Sequence, residues 1–419
     1  MDAITIKYLI IGILVFDFAV ERILDYLNIK NLNAPLPTNV AGVYEAAEYS
    51  KSQAYQKEKE KAEQVESFFQ FGLYLVLLTQ GYLGGLYDSV AGYVGQSGSL
   101  SSIAFYASNL LFFGILFIVS DLLSTPFSAY NTFVIEEKYG FNKSTVKLFI
   151  MDKLKGYILA IIIGGIIISL LLFLIQQLDT SFWWIFWIIV SVLIVCMNMF
   201  YTSLLLPLFN KLTPLGEGEL KEAIQTYCRK ENFPVDNIYI MDGSKRSNKA
   251  NAFFSGFGKK KKIVLFDTLV DQHSIPELIA ILAHEAGHFK KKHIIQMMVL
   301  SVLQIGVYLF LLSLLIKNQN LSIALGASGN SIALNLIGFG LLFSPVSSLT
   351  GILVNLLSRK NEYEADAFAA QTSSATDLGV ALKNLSKKNL SNLTPHPAYV
   401  FLHYSHPPVT QRLNAMGIK

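Results

Sequence analysis

The sequence predicts a mostly α-helical, polytopic membrane protein with seven transmembrane helices and a small folded insert holding a short β-sheet on the cytoplasmic side. Three observations predict it. Only 15% of the 419 residues are charged while 52% are hydrophobic, and mean hydropathy is +0.43; an average globular chain is about 25% charged. Six segments, 67–88, 102–124, 156–178, 182–206, 294–316 and 331–357, each supply the roughly 20 apolar residues a spanning helix needs. The few charges, finally, are sorted by loop. A seventh span at 5–27 has an apolar core at 8–16 and then carries Asp17, Glu21, Arg22 and Asp25. Asp17, Glu21 and Asp25 recur every four residues and share one helix face. Either that stripe faces a polar interior, or the helix leaves the bilayer near Asp17. No small-residue cleavage pattern follows the apolar core, so this segment is expected to be retained.

Seven spans put the termini on opposite sides and sort the loops into two groups. Connections 28–66, 131–147 and 209–293 and the tail 358–419 hold 29 of the 34 Lys and Arg residues. Positive residues mark the cytoplasmic side, which places the N-terminus outside and the C-terminus in the cytoplasm. Asp121 and Asp152, at span ends, are expected at the interface. A net charge of +4 is too small to suggest nucleic acid as a partner, and two cysteines, Cys196 and Cys228, exclude a disulfide framework. The tail shows no retention signal. With abundant Ile, Asn and Lys, this favours a bacterial inner membrane over the endoplasmic reticulum membrane.

Segment 209–293 reads as a folded insert. A helical stretch at 217–230 is followed by two β-branched and aromatic runs, 238–241 and 262–266, with 251–257 between them. Gly256, Gly258 and Lys259 to Lys262 predict a turn. Asn251 and Ala252 begin a run that, as a sheet edge, can pair with an extended peptide. Ser274 and Glu277 then form a capping-box pattern, and 278–292 continues without a breaker through the HEAGH run at 284–288.

His284 and His288 are one helical turn apart and can grip one ion from a single face. Glu285, about 100° round the helix, can reach a metal-activated water without being a ligand, as in a zinc hydrolase. A catalytic zinc usually takes three protein ligands, and the extended three-histidine pattern fails at Lys291 and Ile294. Glu362, directly after the seventh span, is the best third ligand. Asp366, four residues on, can hold a ligand histidine through its free N–H, and Glu364 is expected to face solvent. The sixth span starts just after the HEAGH helix and the seventh ends just before Glu362, so antiparallel spans bring the two sites to one membrane face.

These residues resemble the type 1 CAAX prenyl protease family of integral-membrane zinc endopeptidases. The resemblance rests on the HEAGH run, on 242–247 followed by Asn251 and Ala252, on 263–269, on 358–369, and on His403 through Pro408 followed by Arg412 and Leu413. Tyr49 to Tyr55, Pro126, Phe127 and 133–141 extend it through nearly the whole chain. It implies seven helices around a large water-filled chamber, capped by the catalytic domain. It also implies one zinc held by His284, His288 and Glu362 in a gluzincin-type site, with Glu285 as general base. Asn251 and Ala252 would align the substrate backbone, and His406 and Arg412 would lie close to the zinc, where a cation or imidazole N–H stabilises an oxyanion. Lys249 and its neighbours stand where a histidine before Asn251 is expected, and Ala286 stands where Leu is common.

The expected organisation is 1–208, helices one to five with their loops; 209–293, the catalytic insert; 294–357, helices six and seven; and 358–419, the rest of the catalytic domain with the third ligand. The expected activity is hydrolysis of a peptide or protein substrate, near the C-terminus of prenylated proteins. A quality-control protease without a prenyl requirement, and a seven-span transporter or receptor with a structural zinc, are the competing readings.

Overall fold

Long apolar runs without internal breakers fold as helices, because a chain in lipid must satisfy its backbone groups internally. In the computed structural model, which describes residues 1–96, 101–233, 237–255 and 262–418, the chain is mostly helical. α1 (Ala3–Asn31) is capped by Asp2, whose carboxylate accepts from the Thr5 N–H at 2.8 Å. α2 (Ala46–Thr79), at about 1.5 Å per residue, is roughly 50 Å long and outreaches a bilayer core. It stops at Gln80 and Gly81, and α3 (Tyr82–Gln96) begins anew. The span expected at 67–88 is therefore broken inside, because Gly81 adopts a positive φ of 70° and the start of α3 docks on the loop at 325–327.

α4 (Ser101–Tyr130) passes into a π-helical turn, Asn131–Glu136. α5 (Val146–Leu159) and α6 (Gly165–Leu178) form one long run up to Asp179, whose φ is 53°. There the chain reverses into α7 (Phe182–Phe200), and Phe182 and Phe186 pack on Leu171, Leu174 and Ile175 of α6. α8 (Leu206–Phe209) leads into the insert.

The insert holds β1 (Leu212–Pro214), α9 (Glu219–Lys230), β2 (Asn237–Met241), β3 (Ala252–Ser255), β4 (Lys262–Phe266), α10 (Asp267–Gln272) and α11 (Ile275–Lys290). The sheet order is β1-β2-β4-β3; β2 and β4 run parallel in the register Ile240 to Leu265, and β3 pairs antiparallel with β4, Ala252 opposite Leu265. β4 is buried on both faces. Ile263 and Leu265 pack toward α9 and α11, while Val264 packs with Leu206 and Met241. The lysine turn expected at 256–262 lies outside the described residues except for Lys262.

α12 (His293–Leu315), α13 (Gln319–Ala324), α14 (Ile332–Thr372), α15 (Ala375–Lys388), α16 (Pro397–His403) and α17 (Val409–Ala415) complete the chain. α14 is 41 residues long, so one unbroken helix runs from the expected seventh span through Glu362 and Asp366. Among the described residues five helical stretches are long and apolar enough to cross a membrane: Ala3–Asn31, Ser101–Glu136, Val146–Phe209, His293–Leu315 and Ile332–Thr372. Leu303, Val307, Leu314, Leu349 and Leu353 are each more than half exposed, as a lipid-facing surface requires. The protein is a multi-pass membrane protein.

Three chain-distant pieces share one further core. Val40, Val43, Tyr44 and Tyr55 pack with Ile135, Tyr139 and Phe141 and with Leu390, Leu393 and Leu413. The first loop and the π-helical turn are thus built into the C-terminal part. Lys249, in the histidine's expected place, bonds both Glu136 Oε1 and the Tyr55 hydroxyl at 3.0 Å, tying the turn before β3 to this core. The two acids expected at the interface are paired. Asp121 accepts from Lys153 at 2.9 Å and Asp152 takes Arg246 through two bonds at 2.8 and 3.0 Å.

Candidate active site

α11 brings Ala280, Leu282, Ala283 and Ala286 into the core, which fixes its rotation and turns His284 and His288 toward α14. Its start differs from expectation. Ser274 makes no side-chain cap bond, and the Glu277 carboxylate, which a capping box would turn back to the Ser274 N–H, is engaged instead by His273 Nδ1 at 2.7 Å and by Asn384 at 3.3 Å. It also ends at Lys290 rather than running to 292, since Lys292 turns left-handed at a φ of 60°. Gly287 lets the two helices approach: a Cβ there would lie 2.9 Å from Ala365 Cα.

At that contact His284 Nε2 and His288 Nε2 are 3.2 Å apart. His288 Nε2 is 3.2 Å from Glu362 Oε1, and His284 Nε2 is 3.5 Å from Glu362 Oε2. Tetrahedral ligands at about 2.0–2.1 Å from a zinc ion are roughly 3.3 Å from each other, so this triangle has the size of a metal's ligand face. Glu362 is 3% exposed and its Oε2 has no hydrogen-bond partner. Its nearest cationic groups, His284 Nε2 and Arg412 Nη1, stop at 3.5 Å; a buried carboxylate oxygen without a hydrogen bond is costly, and a cation at the triangle would bind it directly. The donor set and spacing fit a zinc ion.

Asp366 is 1% exposed and lies 2.8 Å from His284 Nδ1. Arg412 meets the same carboxylate through Nε at 2.8 Å and Nη2 at 2.6 Å, and its Nη1 is 3.5 Å from Glu362 Oε2. Arg412 Nη2 is also 3.2 Å from His284 Nδ1 and 3.5 Å from His284 Nε2, so the guanidinium touches two ligand side chains as well as their brace. His406 is mostly exposed, with Nε2 3.3 Å from Glu362 Oε1. Glu285 sits half-buried between the histidines. Burial raises its carboxyl above the ordinary value, opposed by the charges of His284 and His288. Asn251 lies just ahead of the edge strand β3, its Oδ1 accepting from the Ala252 N–H at 2.9 Å, and its carbonyl accepts from the Phe266 N–H.

Glu364 departs from expectation. Its side chain is only partly exposed and reaches His293 Nε2 at 3.2 Å. His293, which sequence reasoning passed over, is 4% exposed and touches His288. Its signal was a histidine just beyond the HEAGH helix, but it falls outside helical i+4 spacing. The acidic stripe of α1 also finds partners. Asp17 accepts from Ser344 at 2.6 Å, Glu21 meets His403 at 3.2 Å and Asp25 pairs with Arg22 at 2.8 Å.

An HExxH helix completed by a glutamate from a second helix, on a multi-pass scaffold, defines a membrane-embedded metallopeptidase. The family model described as CAAX prenyl protease N-terminal, five membrane helices, matches residues 25–211, and that of peptidase family M48 matches 214–417. The chain belongs to the type 1 CAAX prenyl protease family of M48 peptidases. It is similar to the CAAX prenyl protease 1 homolog of Arabidopsis thaliana, 34% identical over 99% of this chain and 98% of that one. It is 33% identical to CAAX prenyl protease 1 of Saccharomyces cerevisiae, over 98% of this chain and 95% of the relative. A crystal structure of S. mikatae Ste24p matches with a TM-score of 0.91 at 33% identity, covering 99% of this chain and all (100%) of that one.

Proposed function

We propose that this metallopeptidase is a zinc endopeptidase whose substrates are prenylated proteins or peptides cut near their C-termini. The observation that carries the metal is the triangle of His284, His288 and Glu362, with a buried carboxylate oxygen that makes no hydrogen bond. The substrate class rests on the names of relatives that align along nearly the full chain.

Bound zinc would supply Lewis acidity to the scissile carbonyl and the attacking water. Glu285 takes the proton from that water as it adds to the carbonyl carbon and delivers it to the leaving amine as the C–N bond breaks. His406, exposed beside Glu362, offers an imidazole N–H to the developing oxyanion. Arg412, 3.5 Å from both His284 Nε2 and Glu362 Oε2, adds its charge to the stabilisation of the oxyanion and holds Asp366 on His284. The outer edge of β3 at Asn251 and Ala252 accepts the substrate as an added strand.

Seven spans follow if the Val146–Phe209 run counts as the hairpin its Asp179 reversal makes, and if α2 with α3 crosses as well. The basic loops place the metal site and the C-terminus in the cytoplasm and the N-terminus outside. That orientation serves the bacterial inner membrane, which the composition favours, or the endoplasmic reticulum membrane. The partners of Asp17, Glu21 and Asp25 support an inward-facing stripe, as a water-filled chamber needs.

Purified protein incubated with prenylated and unprenylated peptides, with and without a chelator, tests this reading by mass mapping of the cut sites. Chelator-sensitive cleavage of the prenylated peptide is expected. Equal cleavage of both would instead identify a quality-control protease, and no cleavage of either would contradict the reading.

A further inference from the structure

His293 has no part in the ligand group or in the roles assigned above, yet it is almost fully buried against a ligand histidine. Its Nδ1 is 3.1 Å from His288 Nδ1, with the two rings 5.1 Å apart and inclined at 75°. On its far side, Nε2 is 3.2 Å from Glu364 Oε2. The backbone is arranged for this contact. Lys292, at a φ of 60°, breaks α11 from α12, so the first residue of α12 folds its side chain back onto the helix just left.

The proton positions follow once His288 ligates through Nε2. His288 Nε2 faces His284 and Glu362, and a histidine offering the Nε2 lone pair keeps its proton on Nδ1. That proton points at His293 Nδ1, which must be bare to accept it. The proton of His293 is then on Nε2, where Glu364 accepts it. With His288 binding metal through Nε2, the three links are met by this one arrangement of protons.

We propose that His293 and Glu364 are positioning residues for the metal site: a carboxylate–histidine–histidine relay that locks His288 in its metal-binding tautomer and orientation. It is the counterpart, on the second histidine, of the Asp366 brace on the first. Outer partners of ligand histidines typically contribute 10–100-fold to metal affinity. The relay rests on the metal reading above, and its test reads metal binding without any substrate.

The experiment is zinc affinity of the purified full-length protein by chelator competition, together with the visible absorption of the Co(II)-substituted form. His293→Phe keeps the ring but offers no acceptor, and should weaken zinc binding about 10–100-fold and shift the cobalt bands. Glu364→Ala should weaken it less, while Glu364→Gln, whose amide oxygen still accepts, should restore near wild-type affinity. That rescue is a result a merely structural role does not produce. Glu364 is partly exposed, so its variants leave the core intact and decide the matter even where His293→Phe does not fold. Equal affinity of Glu364→Ala and Glu364→Gln, with unchanged cobalt spectra, overturns the relay. Wild-type protein that binds no zinc, or binds it equally after His284→Ala, overturns the metal reading and the relay with it.

Discussion

At Gly287 a Cβ would meet Ala365 Cα at 2.9 Å, its carbonyl oxygen at 3.1 Å and Phe368 Cβ at 3.2 Å. Two of these are backbone atoms and cannot swing away. Gly287→Ala should therefore cost about 1–3 kcal/mol, as overpacking does, visible as a lower melting temperature, and should also spread the ligand triangle and lower zinc affinity. Arg412→Met leaves the Asp366 carboxylate buried without its bidentate partner. Breaking one side of a buried pair costs about 3–5 kcal/mol, and a chemical denaturation midpoint close to wild type would contradict that account. Glu60 supplies a pH test away from the metal. It lies on the turns of α2 ahead of segment 67–88, and burial, with Asp25 and Glu63 nearby, raises its carboxyl to about 7. The folded state thus favours the protonated form. Its contribution to stability is fully present below the ordinary value of 4.5 and is lost as pH rises through about 7. Glu60→Gln should match wild type in melting temperature near pH 4 and exceed it at pH 8; an equal offset at both would contradict the linkage.

Among elements, those legible in the sequence were the ones whose signal lies within one helix or strand. His284 and His288 at i, i+4, and Glu362 and Asp366 at i, i+4 on α14, needed only helical periodicity, and the structure sets them face to face. What the sequence hid depends on neighbours distant in the chain. The break between α2 and α3 exists because Gly84 packs where a Cβ would collide with the backbone of Gly326 and Ala327, while the Gly84 N–H bonds the Leu325 carbonyl at 2.9 Å. No local pattern announces that contact. Gly84→Val should lower the melting temperature more than Gly85→Val, because a Cβ at Gly85 meets nothing within 4 Å. Ser274 and Glu277 matched a capping box, but tertiary partners claimed Glu277. Helix geometry alone turns Glu364 to solvent, and only the turn at Lys292 brings His293 to it.

Across the whole molecule, the scarcity of charge marks a membrane protein, and the Lys and Arg residues gather most in 209–293 and 358–419, the segments that carry the site. α14 joins the two: it crosses from apolar surface at Leu349 and Leu353 to the buried carboxylates of Glu362 and Asp366 without a break. The first loop and the π-helical turn close over the C-terminal part through Tyr55, Tyr139 and Leu413, which composition could not reveal because each piece alone looks like a polar connection. The central claim is that three side chains hold the metal and Glu285 moves the proton. Peptide hydrolysis by the zinc-loaded Glu285→Gln protein tests it most directly. The variant should carry one zinc per chain and cleave at least about 100-fold more slowly than wild type, as loss of a general base predicts; cleavage at the wild-type rate would contradict the account.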